Sequence, residues 1–224
     1  VSNAANTVEH PRTPRRSALL VSGALIAAAA AATVPLQAAS AAPGRGADCV
    51  IEVLPMPDGY TFSIVTGMSD DGSVIAYRAY DLQSYVRYPY LYEDGEATEV
   101  PMPGEDQQIA DVNEDGLAVG FTFLDGMELP YVFRDGKLTE LAANDGGLAS
   151  GVNEDGDIVG ATGQYPQIPV IWRDGEVKPV ELPLPDSAVS GEASAINDDG
   201  TIVGHYEDAE TGAFKPYLWH PDGT

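Results

Sequence analysis

A short turn signature recurs four times along this chain at nearly constant spacing. It reads Ser69-Asp70-Asp71-Gly72, Asn113-Glu114-Asp115-Gly116, Asn153-Glu154-Asp155-Gly156 and Asn197-Asp198-Asp199-Gly200, with glycine-to-glycine steps of 44, 40 and 44 residues. A second signature keeps step with it: Pro89-Tyr90-Leu91-Tyr92, Pro130-Tyr131-Val132-Phe133, Pro169-Val170-Ile171-Trp172 and Pro216-Tyr217-Leu218-Trp219. Each copy runs into an Asp-Gly, at Asp94-Gly95, Asp135-Gly136, Asp174-Gly175 and Asp222-Gly223. A proline-broken tail, Val100-Pro101-Met102-Pro103, returns as Leu182-Pro183-Leu184-Pro185. Periods of this length mark stacked supersecondary units, none of which can bury its apolar face alone.

Each unit reads as four short strands. The first precedes the turn (109–112, 194–196), and the second follows it (117–121, 201–204). The third is the Pro-aromatic run, and the fourth is short and mixed (137–141, 176–180). Asp-Gly between apolar runs signals a tight hairpin, because glycine accepts the positive φ the turn demands. The Asn or Asp that opens each turn can cap it by bonding the backbone further on. With 24 glycines and 17 prolines in 224 residues, and no apolar period of 3.6, long helices are not expected. The chain is therefore expected to be all-β and propeller-like, with units at about 58–103, 104–142, 143–185 and 186–224. Tyr92, Phe133, Trp172 and Trp219 are expected to fill equivalent core positions between units. The segment Val50-Ile51-Glu52-Val53-Leu54-Pro55-Met56-Pro57 matches the tail of a unit. Residues 50–55 are thus a candidate strand to close the ring on the last unit; an open fragment of a larger propeller is the alternative.

The first 41 residues have a different character. Arg12, Arg15 and Arg16 form a positive region, residues 18–34 are apolar with a six-alanine run, and Ala39-Ser40-Ala41 gives a small-x-small cleavage pattern ending at Ala41. This is the layout of an export signal, by the general or the twin-arginine route. Residues 42–49 read as a linker, and 50–224 as the repeat domain of a secreted protein that has no membrane association once the signal is removed. Cys49 is the only cysteine, which excludes an intramolecular disulfide. The whole chain carries a net charge of −24, and residues 1–41 hold three arginines against one glutamate. A repeat domain this acidic repels nucleic acid and anionic lipid.

The pattern Asn-x-Asp-Gly-x-Ile-Val-Gly, a variable loop, then an aromatic strand ending in Trp and Asp-Gly resembles the HAF-type extracellular repeat. The matching copies are 197–204 with 216–223 and 153–160 with 169–175, and the resemblance covers about 50–224. The His-Ala-Phe residues that name the repeat are absent: Tyr88, Leu129, Ile168 and Lys215 stand at the histidine position, and proline replaces the alanine. The resemblance implies a secreted, propeller-like protein and no particular activity.

Few residues point to chemistry. Asp111, Asn113 and Asp115, followed by Gly116, have the opening spacing of a calcium loop, but the twelfth position is Thr122 rather than glutamate. The other units begin with Gly67, Gly151 and Ala195, so the shared feature is the turn, and no cofactor is expected beyond this weak calcium candidate. There is no Gly-x-Ser-x-Gly, and His205 and His220 have no zinc or triad spacing. The connection between strands two and three varies most, which marks it as the place for a partner. Tyr77, Tyr80, Tyr85 and Tyr88 in that region of the first unit are the candidate ligand-binding residues. Two functions stay open. One is a non-catalytic binding or scaffold module with an extracellular ligand, glycan or protein. The other is a carbohydrate-active enzyme using convergent carboxylates at the propeller centre.

Overall fold

The computed structural model describes residues 51–221 except Leu82, Ser84 and Tyr85. The export segment with Ala39 and Ala41, the linker, Cys49 and Tyr85 lie outside the described residues. The described chain is all-β, with no helix, and propeller-like. The first sheet holds β1 (Phe62–Met68), β2 (Val74–Tyr80), β3 (Arg87–Glu93) and β4 (Glu96–Glu99). The second holds β5 (Asp106–Val112), β6 (Ala118–Leu124), β7 (Met127–Arg134) and β8 (Lys137–Glu140). The third holds β9 (Gly147–Val152), β10 (Ile158–Thr162), β11 (Ile168–Trp172) and β12 (Val180–Glu181). The fourth holds β13 (Ala188–Ile196), β14 (Ile202–Asp208) and β15 (Phe214–Trp219). Within each sheet, successive strands pair antiparallel, and one parallel backbone pair, Arg87 with Asp106, bridges the first two.

The turn chemistry follows the sequence closely. Asp94-Gly95 and Asp135-Gly136 both have positive φ at each residue, as does Asp125-Gly126, which makes the β6–β7 connection a two-residue hairpin. Such turns match the right-handed strand twist. In the second unit the Asn113 amide bonds Leu117 O across the three-residue loop, and Gly116 N donates to Asn113 O. The third and fourth units repeat this at Asn153/Asp157 and Asn197/Thr201. The first turn is one residue longer: Ser69 N bonds Val74 O, so Ser73 is an insertion. In pairing register, Val74 is therefore the counterpart of Leu117, and Ala76 that of Val119.

Proline in the third strand explains the short fourth strand. Pro89, Pro130 and Pro169 accept the amides of Val100, Leu141 and Leu182 through their carbonyls. They have no N–H to return, so the ladder stops there. The fourth strand of the third unit was expected over 176–180 but is only Val180–Glu181. A turn closed by Glu176 N to Arg173 O occupies its start, and Pro179 interrupts the rest.

The sheets stack through one recurring junction. Each sends a forward face, and the tail that follows it, onto the backward face of the next. Val119, Val132 and Leu141 meet Ala149, Ile158 and Trp172. Val159, Ile171 and Leu182 meet Ala193, Ile202 and Trp219. The aromatic series behaves as core in Phe133, Trp172 and Trp219. The two indoles also donate backwards, Trp172 Nε1 to Ala142 O (3.1 Å) and Trp219 Nε1 to Pro183 O (2.6 Å), so each fixes the tail of the preceding unit. Tyr92, partly buried like Phe133, packs against the Tyr77, Ala79 and Tyr90 cluster, and its hydroxyl bonds Glu52.

The backward face also explains the glycine of the Ile-Val-Gly motif. Gly160 pairs with Ala149 at a bulge in β9, and a Cβ there would sit 2.0 Å from Leu148 O. Gly120 and Gly204 occupy the same place against Gln108 O and Glu192 O. The first sheet has Tyr77 at this position, stacked on Tyr90.

The ring is not closed. Residues 51–57 form no strand, so the expected pairing of 50–55 with the last unit is absent from the described part of that segment. They lie on the first sheet, where Tyr77 donates to Pro55 O (2.9 Å) and Tyr92 to Glu52 (2.8 Å). The physical reason is that Tyr77 projects where the other sheets have glycine and offers a hydroxyl to this segment.

Candidate functional site at the turn end of the axis

The first strand of every sheet enters its Asx-Gly turn at the same end of the arc. The turns of the first, third and fourth units and the end of β5 line a cavity of about 460 Å3 there, with Met68, Asp70, Asp111, Glu154, Ile196 and Asp198 among its walls. Two hydrogen-bond ladders tie the turns together. In the first, Asn113 Nδ2 donates to Asn153 O (3.1 Å) and Asn153 Nδ2 to Asn197 O (3.3 Å). Their Oδ1 atoms meanwhile accept the amides of Leu117 and Asp157 (2.9 Å each). Each asparagine thus caps its own turn and reaches the next sheet, which an aspartate could not do without a donor. Ser69 caps Val74 N (3.0 Å) in the first unit but is too short to extend the ladder. In the second ladder, Glu114 N donates to Glu154 (3.0 and 3.1 Å) and Glu154 N to Asp198 (3.0 Å).

Asp111 is the unusual member. Its counterparts by position are Gly67, Gly151 and Ala195, which carry no more than a methyl group and no polar atom. Its Oδ1 accepts Val112 N and its Oδ2 accepts Val152 N on the third sheet, each at 3.0 Å. Burial raises its carboxyl pKa, the two amide bonds oppose the rise, and Asp70 adds to it. Burial likewise raises Glu154, opposed by the Glu114 amide and reinforced by the charges of Glu114, Asp198 and Asp70. Carboxyls with raised pKa facing a cavity are the arrangement from which a general acid is made. Here, however, both oxygens of each are held by main-chain amides, and Val152 N to Asp111 and Glu114 N to Glu154 link neighbouring sheets.

The calcium candidates do not converge. Asp111 turns toward the third sheet, Asn113 Oδ1 is occupied by Leu117 N, and Asp115 stands exposed in the turn. Among the described residues, no three His, Cys, Asp or Glu side chains gather as a metal ion requires. His205 lies edge-on to Phe214, and His220 is exposed.

The candidate tyrosines divide between two faces of one sheet. Tyr77 is buried on the backward face. Tyr88 shares that face and lies 5.4 Å from the Tyr60 ring. Tyr80 sits on the other face, edge-on to Phe62, with the Arg78 and Arg87 guanidinium groups at 5.3 and 5.5 Å from its ring. Sequence reading missed the exposed aromatics at the opposite end of the arc from the turns. Phe123, Tyr165 and Phe214 lie at or beside the second-to-third-strand connections of sheets two, three and four. Isolated aromatics in loops of unlike length give no periodic signal.

No protein-family model matches the chain, and no curated protein matches it. Among solved structures, the chain is similar to the beta-propeller domain of the Trilobed protease from Pyrococcus furiosus, described as having an open velcro topology. The two are 17% identical with a TM-score of 0.47, over 70% of this chain and 53% of that one. An acylaminoacyl peptidase in complex with a chloromethyl ketone is 13% identical with a TM-score of 0.36, over 71% of this chain and 37% of that one. The chain spans about half the length of the first structure and less of the second.

Proposed function

We propose that the protein is an exported, non-catalytic binding or scaffold module whose ligand is extracellular, a glycan or a protein surface. The observation that carries this reading is the occupation of the axial carboxylates. Asp111 accepts Val152 N of the third sheet through one oxygen and Val112 N of its own strand through the other, and both oxygens of Glu154 accept Glu114 N of the second sheet, so the two side chains brace the stack. The recognition surface in this reading is the opposite end, where the second-to-third-strand connections differ in length. Phe123, Tyr165 and Phe214 are exposed there, and aromatic faces of this kind stack on sugars or anchor a protein partner.

The second reading is a carbohydrate-active enzyme at the turn end. The raised carboxyls of Asp111 and Glu154 beside an open cavity favour it. A screen of the secreted protein against glycans, scored for both binding and turnover, separates the two. Binding without turnover that is reduced by Tyr165→Ala and Phe214→Ala supports the module. Turnover of a glycan that is abolished by Glu154→Gln overturns it in favour of the enzyme.

A further inference from the structure

One transverse row of side chains crosses from the first sheet to the second. Phe62 pairs with Tyr80, Tyr80 with Arg87, Arg87 with Asp106 and Asp106 with Phe123. Directly paired residues project from the same face, so the five side chains stand side by side on β1, β2, β3, β5 and β6. The contacts agree with the register. The Phe62 and Tyr80 rings meet edge-on at 5.3 Å, the Arg87 guanidinium lies 5.5 Å from the Tyr80 ring, and Arg87 forms an ion pair with Asp106. Arg78, two residues before Tyr80 on the same face, brings a second guanidinium to 5.3 Å from that ring. Four strand spacings give the row a length of roughly 19 Å. Solvent reaches both of its ends and its middle: Phe62 is 45% exposed, Phe123 46%, and the Arg87 and Asp106 side chains 33% and 45%.

The two arginines in this row are underbonded. A guanidinium has five N–H donors. Arg78 gives one to Gln108 Oε1 (2.5 Å), and Arg87 gives one to Asp106. Among the described residues, neither makes another hydrogen bond, and the Nε of each is buried without an acceptor. Buried donors ordinarily have a partner. Cations are also scarce in this acidic chain. Residues 51–221 hold seven Lys and Arg, and two of the seven stand against one tyrosine ring. Gln108 and Asp106 fix the two forks in place and leave most of their donors to another acceptor. A carboxylate fits that role, because its two oxygens match the guanidinium edge in parallel bonds.

The neighbours of the arginines narrow the ligand further. Phe62 and Tyr80 lie on one side of the Arg87–Asp106 pair and Phe123 on the other, and such rings offer flat apolar faces to the C–H groups of sugars. The backbone is already used. Tyr80, Arg87 and Asp106 are each paired to a strand on both sides, so an extended peptide has no strand edge to join here. A ligand at this row is read by side chains alone.

We infer that this row binds an acidic glycan, with Arg78 and Arg87 taking a sugar carboxylate and Phe62, Tyr80 and Phe123 packing against the sugar faces. The inference rests on the reading of the protein as an extracellular binding module and names its ligand class. The negative charge of the chain does not oppose it at contact, since at physiological salt charges beyond about 8 Å are largely screened.

The test is calorimetric titration of the purified chain with tetrauronates of galacturonate, mannuronate and guluronate, with the carboxyl-reduced form of each, and with tetraglutamate. The expected result is binding of at least one uronate, with its reduced form weaker by about tenfold or more. Arg78→Gln and Arg87→Gln should each weaken that uronate by about tenfold or more, and Phe123→Ala by about threefold. Arg87→Lys, which keeps the charge but not the fork, should weaken it too. Circular dichroism checks that each variant folds; Phe123 is exposed, so its variant tests the row even where an arginine variant does not fold. Failure of all three uronates to bind at millimolar concentration overturns the inference. Equal binding of the reduced forms, or a uronate affinity indifferent to the arginine and Phe123 changes, also overturns it. Tetraglutamate binding more tightly than any uronate overturns it in favour of a peptide site. A neutral glycan bound through Tyr165 alone removes this inference and leaves the module reading standing, whereas glycan turnover abolished by Glu154→Gln removes the module reading itself.

Discussion

Replacing Asn113 with alanine isolates what one turn contributes to the stack. The side chain is buried, accepts the amide of buried Leu117, and donates to Asn153 O on the next sheet. Truncation leaves the Leu117 N–H without an acceptor, and a buried orphan of this kind costs about 1–3 kcal/mol. Losing the bond to Asn153 O adds roughly 1 kcal/mol, so the expected loss is about 2–4 kcal/mol. Asn113→Ser separates the two parts. Serine already caps the first turn, where Ser69 Oγ accepts Val74 N at 3.0 Å, but it does not reach the next sheet. The serine variant should therefore lose only the second part, about 1 kcal/mol. Urea unfolding at equal m-value reads both numbers as midpoint shifts. An alanine variant within about 0.5 kcal/mol of the parent would refute the reasoning, since that is the range of an ordinary surface change. Equal losses for serine and alanine would refute the division between cap and ladder.

Three further outcomes follow from the same geometry. Gly160→Ala should lose more than about 3 kcal/mol, because its Cβ would meet Leu148 O at 2.0 Å and backbone must move. Gly175→Ala, with φ of +71° and open space around it, should lose only about 1 kcal/mol of conformational strain, and unfolding curves distinguish the two. Because burial raises the Asp111 carboxyl, the folded state holds that proton more tightly than the unfolded chain. Stability of the parent relative to Asp111→Ala should therefore fall as pH rises from the ordinary carboxylate range through the raised value, and recover on acidification; the opposite slope in paired melts contradicts this. Millimolar calcium or a chelator should leave the unfolding temperature unchanged, because Asp111 and Asn113 already have their oxygens occupied by amides; a rise with calcium would restore the loop at Asp111, Asn113 and Asp115 as a metal site.

The parts of the fold that were legible in the sequence are those set by local chemistry. Asp94-Gly95 and Asp135-Gly136 are hairpin turns because their backbone conformation suits few other pairs, and the turn period follows from stacking like units. Non-local features were hidden. Ser73 looks like any strand residue, yet it shifts the first unit by one position and turns Tyr77, not Ala76, onto the backward face. The need for glycine at Gly120, Gly160 and Gly204 arises from a bulge on the partner strand, which no single strand sequence displays. Asp111 reads as a possible ligand for a metal because the sequence gives its spacing but not its direction, and its acceptors' partners lie 1 and 41 residues away. The four tyrosines of the first unit read as one surface, but strand alternation and the turn insertion place Tyr77 and Tyr88 opposite Tyr80.

The Asx-Gly turns are structural braces between neighbouring sheets. Native-state hydrogen exchange of the Leu117, Val152 and Asp157 amides tests it most directly. Leu117 and Asp157 donate to asparagine side chains in their turns, and Val152 donates to Asp111 on the neighbouring sheet. The account predicts that these amides exchange as slowly as the buried strand amides of Val119 and Val159, opening only with the sheets they join. Fast exchange at these three positions while Val119 and Val159 stay protected would contradict it.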